Sequence, residues 1–95
     1  MRKYELMYII NSSLDDEARQ TTIESLQGII TNNGGTIESV DDWGMRSFAY
    51  EINDMLKGYY QVVKFEGDNT VVSEVDRLAR INANVVRHMI LNLEN

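Results

Sequence analysis

An α+β fold of order βαββαβ, a four-stranded antiparallel sheet carrying two helices on one face, is the architecture this 95-residue sequence predicts. Two observations predict it. Strand-like runs with a period of two alternate with helix-like runs of period near 3.6, and their order is the one that two right-handed βα crossovers require. In that arrangement strands one and three form the central pair and the sheet order is four, one, three, two. The length fits one domain over residues 1–95, with no room for a second core.

The first strand is read from Arg2 to Ile10, where Tyr4, Leu6, Tyr8 and Ile10 alternate with Lys3, Glu5, Met7 and Ile9. Ser13 is a candidate helix cap, and Asp15, Asp16 and Glu17 suit the positive end of the helix dipole. Leu14, Ala18, Ile23, Leu26 and Ile30 then recur at helical spacing until Gly34-Gly35 stops them. A second strand region spans Thr36 to Ile52; it is too long for uniform alternation, and Gly44 inside it predicts a bulge or sharp bend. Asn53 to Lys57 reads as a loop and Gly58 to Glu66 as the third strand. Gly67-Asp68-Asn69-Thr70 ends that strand and caps a helix whose stripe is Val71, Val72, Val75, Leu78 and Ala79, with Arg77 and Arg80 in its last turns. Val85 to Leu93 closes the chain as the fourth strand.

The helices need the more apolar sheet face. That assigns Tyr4, Leu6, Tyr8, Ile10, Tyr59, Val63 and Phe65 to the interior, and a core of Leu6, Ile10, Leu26, Ile30, Val63, Phe65, Val75 and Leu78 between sheet and helices. Met7, Ile9, Tyr60 and Val62 then fall on the uncovered face, rimmed by Lys3, Glu5, Lys64 and Glu66. Single exposed apolar residues are ordinary on soluble proteins, but four contiguous ones on adjacent central strands form a candidate protein-docking patch.

A hydrophobic content of 43% and a charged content of 25% describe an ordinary globular domain rather than a disordered or membrane chain. The absence of cysteine excludes disulfides, thiolate metal sites and thiol nucleophiles. The apolar run after Arg2-Lys3 is broken by Glu5 and ends at Asn11 without a cleavage-like site, so a cytoplasmic address is expected. The net charge of −6 argues against nucleic-acid binding by overall charge. Residues 1–40 and 41–68 each hold three basic and six acidic side chains, whereas residues 69–95 hold three of each. A basic site must therefore be local, assembled from Arg2, Lys3, Arg80 and Arg87 with Arg46, Lys57 and Lys64.

No catalytic constellation is visible. His88 is the single histidine and lacks companion ligands at ordered spacing, so it is expected to pack near Val86 and Ile90. Asp15-Asp16-Glu17 suits a helix start and Asp41-Asp42 a solvated strand end, so no metal is assigned. Neither a phosphate-cradling glycine loop nor a nucleophile elbow occurs, and no cofactor or small-molecule substrate is expected. Trp43 reads as a packing residue at a strand edge.

An open four-stranded sheet invites comparison with the RNA-recognition motif, whose central strands stack bases on aromatics. Lys57-Gly58-Tyr59 begins like its longer motif, but Tyr60 stands where Gly or Ala belongs, Gln61 where the main stacking aromatic belongs, and Lys64 where another aromatic belongs. Base stacking on that pattern fails.

Met1-Arg2-Lys3-Tyr4-Glu5, the stretch Asn11 to Leu14, Trp43-Gly44-Met45-Arg46, Ala49-Tyr50, Gly58-Tyr59-Tyr60, and Arg80-Ile81 with Val85 and Arg87 stand in an order and spacing that covers nearly the whole chain. As a set they resemble ribosomal protein six of the bacterial small subunit. The resemblance implies a ferredoxin-like domain that is not an enzyme, that pairs with ribosomal protein eighteen and that helps it bind small-subunit rRNA. It turns Arg2 and Lys3 from a solvated strand end into candidate RNA contacts, with Arg87 completing a small basic cluster and Arg80 and Arg46 beside it. Ser12 and Glu51 replace prolines common in the family, without consequence for the fold. Asp54 lies in a loop that is often basic in the family, and the chain ends at Asn95 without the longer tail of many members, so the resemblance does not carry contacts through that loop or tail over to this sequence. A free-standing RNA- or protein-binding module, or a small ligand-binding domain, could use the same fold, and fold alone does not choose.

Overall fold

The elements follow one another as β1 (Arg2–Asn11), α1 (Asp16–Asn32), β2 (Thr36–Ile52), β3 (Met55–Gly67), α2 (Asn69–Ile81) and β4 (Val85–Asn92) in a computed structural model that describes residues 2–52 and 55–93. Every strand pairing is antiparallel and the sheet order is β2-β3-β1-β4, as the crossover rule predicts.

Register explains the core. β1 and β3 pair Tyr4 with Phe65, Leu6 with Val63 and Ile10 with Tyr59, so the alternate apolar residues of both central strands share the face that meets the helices. Ile23, Leu26 and Ile30 of α1 and Val71, Val75 and Ala79 of α2 close over them, and the Tyr4 and Phe65 rings stack with centroids 5.6 Å apart. Each fully buried aliphatic side chain here contributes about 1.5–3 kcal/mol. Leu78, expected in the core, is only partly buried, because the buried stripe of α2 runs in steps of four through Val71, Val75 and Ala79 and leaves Leu78 one position off it.

Two polar pairs belong to this interior, one buried and one at its margin. The Tyr8 hydroxyl donates to Gln61 Oε1, and burial pushes the Tyr8 hydroxyl up to about 12. Thr22 Oγ1 donates to the Ala18 carbonyl at 2.9 Å and accepts from Asn84 Nδ2 at 3.1 Å, tying the start of β4 to α1. Among the described residues no buried side-chain nitrogen or oxygen lacks a partner.

Two local features differ from those the sequence predicts. Asp15, not Ser13, caps α1, accepting from Ala18 N at 2.7 Å. Ser13 instead donates its N–H and its hydroxyl to Asn11 Oδ1, at 2.9 and 2.8 Å, in a side-chain turn that leads out of β1. Asp68 caps α2 through Val71 N as expected. Met55 to Lys57, expected in a loop, belong to β3, whose ladder with β2 continues through Ser47 and Lys57; Asn53 and Asp54 lie outside the described residues. The expected bulge is present, with the β2–β3 register shifting between Asp42 and Gly44, where Gly44 takes φ of 73°.

Candidate functional site

The sheet face opposite the helices is laid out in rows by the two central registers. Gly44, Tyr60, Ile9 and Arg87 form one row, Asp41, Val62, Met7 and Met89 the next, and Ser39, Lys64, Glu5 and Leu91 a third. This is the face on which Met7, Ile9, Tyr60 and Val62 were expected to stand exposed. They do not form an exposed patch: Ile9 is 3% and Val62 5% exposed, and Met7 and Tyr60 are partly covered.

The cover comes from β2. The Trp43 ring stacks on Tyr60 with centroids 6.2 Å apart and planes 12° from parallel, and Phe48 meets the same Tyr60 edge-on at 6.0 Å. Trp43 also lines a hollow of about 330 Å³ with Val62, Glu5 and Lys64. Gly58 leaves the space in which Phe48 and Ile9 meet, since a Cβ there would stand 2.9 Å from Phe48 Cζ and would collide with Ile9 Cγ2. The apolar surface is thereby moved from the centre of the sheet to its edges. On the open side of β2 Trp43 is exposed, and on β4 Met89 is 45% and Leu91 46% exposed, whereas the exposed Val40 and Met45 of β2, opposite Val63 and Tyr59, lie on the helix side.

The five candidate basic residues divide between the two faces. Successive residues of a strand point to opposite sides, so Arg2 and Lys3 cannot serve one face together. Lys3 is on the open side, 3.5 Å from Glu38, while Arg2 lies on the helix side in a cleft with Tyr4, Asp68 and Asn69. Arg46 is opposite Gly58 on the open side, with Nε donating to the Trp43 carbonyl at 3.1 Å and its guanidinium 5.9 Å from the Trp43 ring. Arg87 is opposite Ile9, also on the open side, with no ion pair among the described residues. Arg80 is on α2, held by Asp76. From the Lys3 row to the Arg87 row is six register steps, about 20 Å at the usual strand rise. Arg87 therefore stands apart from Lys3, as the antiparallel order of the strands implies, and Arg2 is on the other face. Lys3, Arg46 and Arg87 share the open face as three separate cations.

The acidic pair on β2 has local work. Asp41 Oδ2 accepts from Trp43 Nε1 at 3.0 Å, and Asp42 accepts from Gly44 N at 3.2 Å and from the Tyr59 hydroxyl at 2.7 Å. These bonds fix the bulge that presents Trp43, and the bond to Asp42 raises the Tyr59 hydroxyl above its usual value. Among the described residues no group of three acidic or histidine side chains could hold a metal ion, and no helix is long and apolar enough to cross a membrane.

His88 lies on the same side of β4 as Ile90 and lines a cleft with it. Its strand partner is Tyr8, so its ring faces the helices and reaches Asp76 Oδ1 of α2 at 2.8 Å. Both line a cleft of about 400 Å³ with Tyr4, Val72 and Ser73. Sequence reasoning also passed over Phe48 and the exposed side of β4. The signal for the first was Gly58 amid bulky neighbours; for the second, it was the run from His88 to Leu93 without a charge.

Taken together, the open face offers an aromatic ridge, apolar edges and spaced cations, a surface for macromolecules rather than for chemistry on a small molecule. The family model of ribosomal protein S6 matches residues 3–92 of the chain. The small ribosomal subunit protein bS6 of Clostridium botulinum (strain Loch Maree / Type A3) is 44% identical over 99% of this chain and 100% of its own length. The protein of the same name from Clostridium acetobutylicum is 45% identical over 99% of each chain. The crystal structure of 30S ribosomal protein S6 from Thermotoga maritima superposes with a TM-score of 0.91 at 33% identity, covering 96% of this chain and 86% of that one.

Proposed function

Because the chain belongs to the ribosomal protein S6 family, a family of structural proteins and not of enzymes, we propose that it is built into the small ribosomal subunit in the cytoplasm and there binds small-subunit rRNA together with ribosomal protein eighteen. The observation that carries this reading is the division of labour on the open face. Lys3, Arg46 and Arg87 are too far apart, and the protein at −6 too acidic, to hold RNA firmly alone. The exposed apolar side chains Trp43, Met89 and Leu91 offer a protein partner the contact that brings those cations to phosphate.

Partner docking accordingly centres on the rims around Met7, Ile9, Tyr60 and Val62 rather than on those four side chains. Docking against Trp43 and Tyr60 would bury aromatic area, which dominates many interfaces. Arg2 and Arg80, on the helix side, could reach RNA only where it wraps round the sheet edge.

The test is a gel-shift titration of small-subunit rRNA with the chain alone, with ribosomal protein eighteen alone, and with both, beside co-sedimentation with small subunits. Firm binding only by the pair, with the chain in the subunit fraction, is expected. Absence from the subunit fraction would instead favour a free-standing RNA- or protein-binding module on the same fold.

A further inference from the structure

A sheet edge presents unpaired N–H and C=O groups to any passing chain, and proteins blunt such edges with charges, proline or bulges. The two edges of this sheet are treated differently. β2 carries Glu38, Asp41, Asp42 and Arg46 and is bent at Asp42–Gly44. β4 carries Arg87 as its one formal charge, has no proline, and lies in a stretch without any acid between Asp76 and Glu94. Its pairing with β1 is regular from Arg87 to Asn92, the only shift falling between Ile9 and Ile10.

Antiparallel geometry states which of its backbone groups are unused. Leu93 N donates to the Lys3 carbonyl at 2.9 Å, so the residues at steps of two from Leu93, namely Leu91, Met89 and Arg87, turn their N–H and C=O groups towards β1. His88 and Ile90 turn theirs away from the sheet. The bond from His88 to Asp76 anchors this edge to α2, so the outward groups are held in a fixed line.

We propose that the outer edge of β4 takes up an extended strand of the protein partner, which hydrogen-bonds the main chain of His88 and Ile90 and sets apolar side chains beside Met89 and Leu91. This rests on the reading that the chain has a protein partner, and it names how that partner is held. Charge selects the occupant. A strand with a carboxylate beside Arg87 meets the one charge of the edge, and nothing acidic on β4 repels it. A second copy of this chain fits less well: its β2 edge is blunted, its β4 has no carboxylate to set against Arg87, and both copies carry −6.

Backbone amide exchange of the full chain, alone and with ribosomal protein eighteen, tests the proposal. In the free chain the His88 and Ile90 amides should exchange as open groups while those of Arg87 and Met89 are protected. In the complex, His88 and Ile90 should slow by about tenfold or more. A complex that forms while these two amides exchange as before is held by side chains on the open face and overturns strand addition. Protection that grows with concentration of the chain alone points to a second copy and overturns it equally. If no amide anywhere changes on mixing, there is no complex, and the proposed pairing with ribosomal protein eighteen falls together with this inference.

Discussion

His88 on the outermost strand and Asp76 on α2 are joined at 2.8 Å, with Arg80 on the far side of the same carboxylate. An ionised carboxylate only accepts, so His88 Nε2 carries the proton and the tautomer is set by this contact. The hydrogen bond from His88, with Arg80 adding to it and partial burial opposing it, holds Asp76 below its usual carboxylate value. A group whose pKa is lowered by folding adds stability above its unfolded value and loses it as pH falls through the folded one. The parent should therefore lose stability below pH ~4 more steeply than Asp76→Asn does. Because the Asp76 side chain is 40% exposed, the difference should stay below about 1 kcal/mol. Urea unfolding at a series of pH values from neutral to acid measures it, and parallel curves for the two proteins would show that the contact does not bear on stability.

Leu26 tests the packing of α1. It is 1% exposed and faces the sheet between Ile23 and Ile30. Leu26→Ala should cost about 2–5 kcal/mol in denaturant unfolding, the range for a truncated buried leucine. A change within experimental error would contradict the helix placement.

Gly58 tests the cover over Ile9. A methyl group at this position would press on the Phe48 ring and on Ile9, in a sheet interior where backbone cannot give way. Gly58→Ala should destabilise by about 1–3 kcal/mol, the usual cost of overpacking. Phe48→Ala combined with it should relieve part of that cost, because one of the two colliding groups is then gone; a purely additive double variant would place Phe48 elsewhere.

How far the sequence reached is visible in these residues. Leu26 was legible because helical spacing and strand parity depend only on neighbours along the chain, and the same holds for the sheet order, which follows from crossover handedness. Ile9 and Val62 were not legible. Parity puts them on the open face, and it is right, but their burial depends on a bulge in β2 that swings Trp43 over Tyr60 and on the absence of a side chain at Gly58. Both are tertiary facts. Arg2 and Lys3 were grouped by adjacency in sequence, although the alternation that located the core already sends them to opposite faces.

The docking surface is tested by two aspartates on one face. Val62→Asp would bury a carboxylate without a partner at a position 5% exposed, and should destabilise the fold by several kcal/mol. Met89→Asp, on an exposed edge, should change stability by no more than about 0.5 kcal/mol and yet weaken pairing with ribosomal protein eighteen. Calorimetric titration of the two proteins reads the second effect. Unchanged affinity for Met89→Asp would move the interface off the β4 side.

RNA contact can be divided in the same way between the two sides of the sheet. With ribosomal protein eighteen present, each cation that meets a phosphate steepens the fall of log affinity with log salt by about one unit or less. Lys3→Ala and Arg87→Ala remove cations of the open face, and each should lower affinity for small-subunit rRNA and flatten that slope. Lys3 must first leave Glu38, so its effect should be the smaller of the two. Arg80→Ala removes a side chain already engaged by Asp76 behind the sheet, and Arg2→Ala one that lies beside Asp68; neither should move the slope if RNA meets the open face alone. The opposite pattern, with Arg2 and Arg80 changing the slope and Lys3 and Arg87 leaving it, would put the RNA on the helix side and leave the open face to protein.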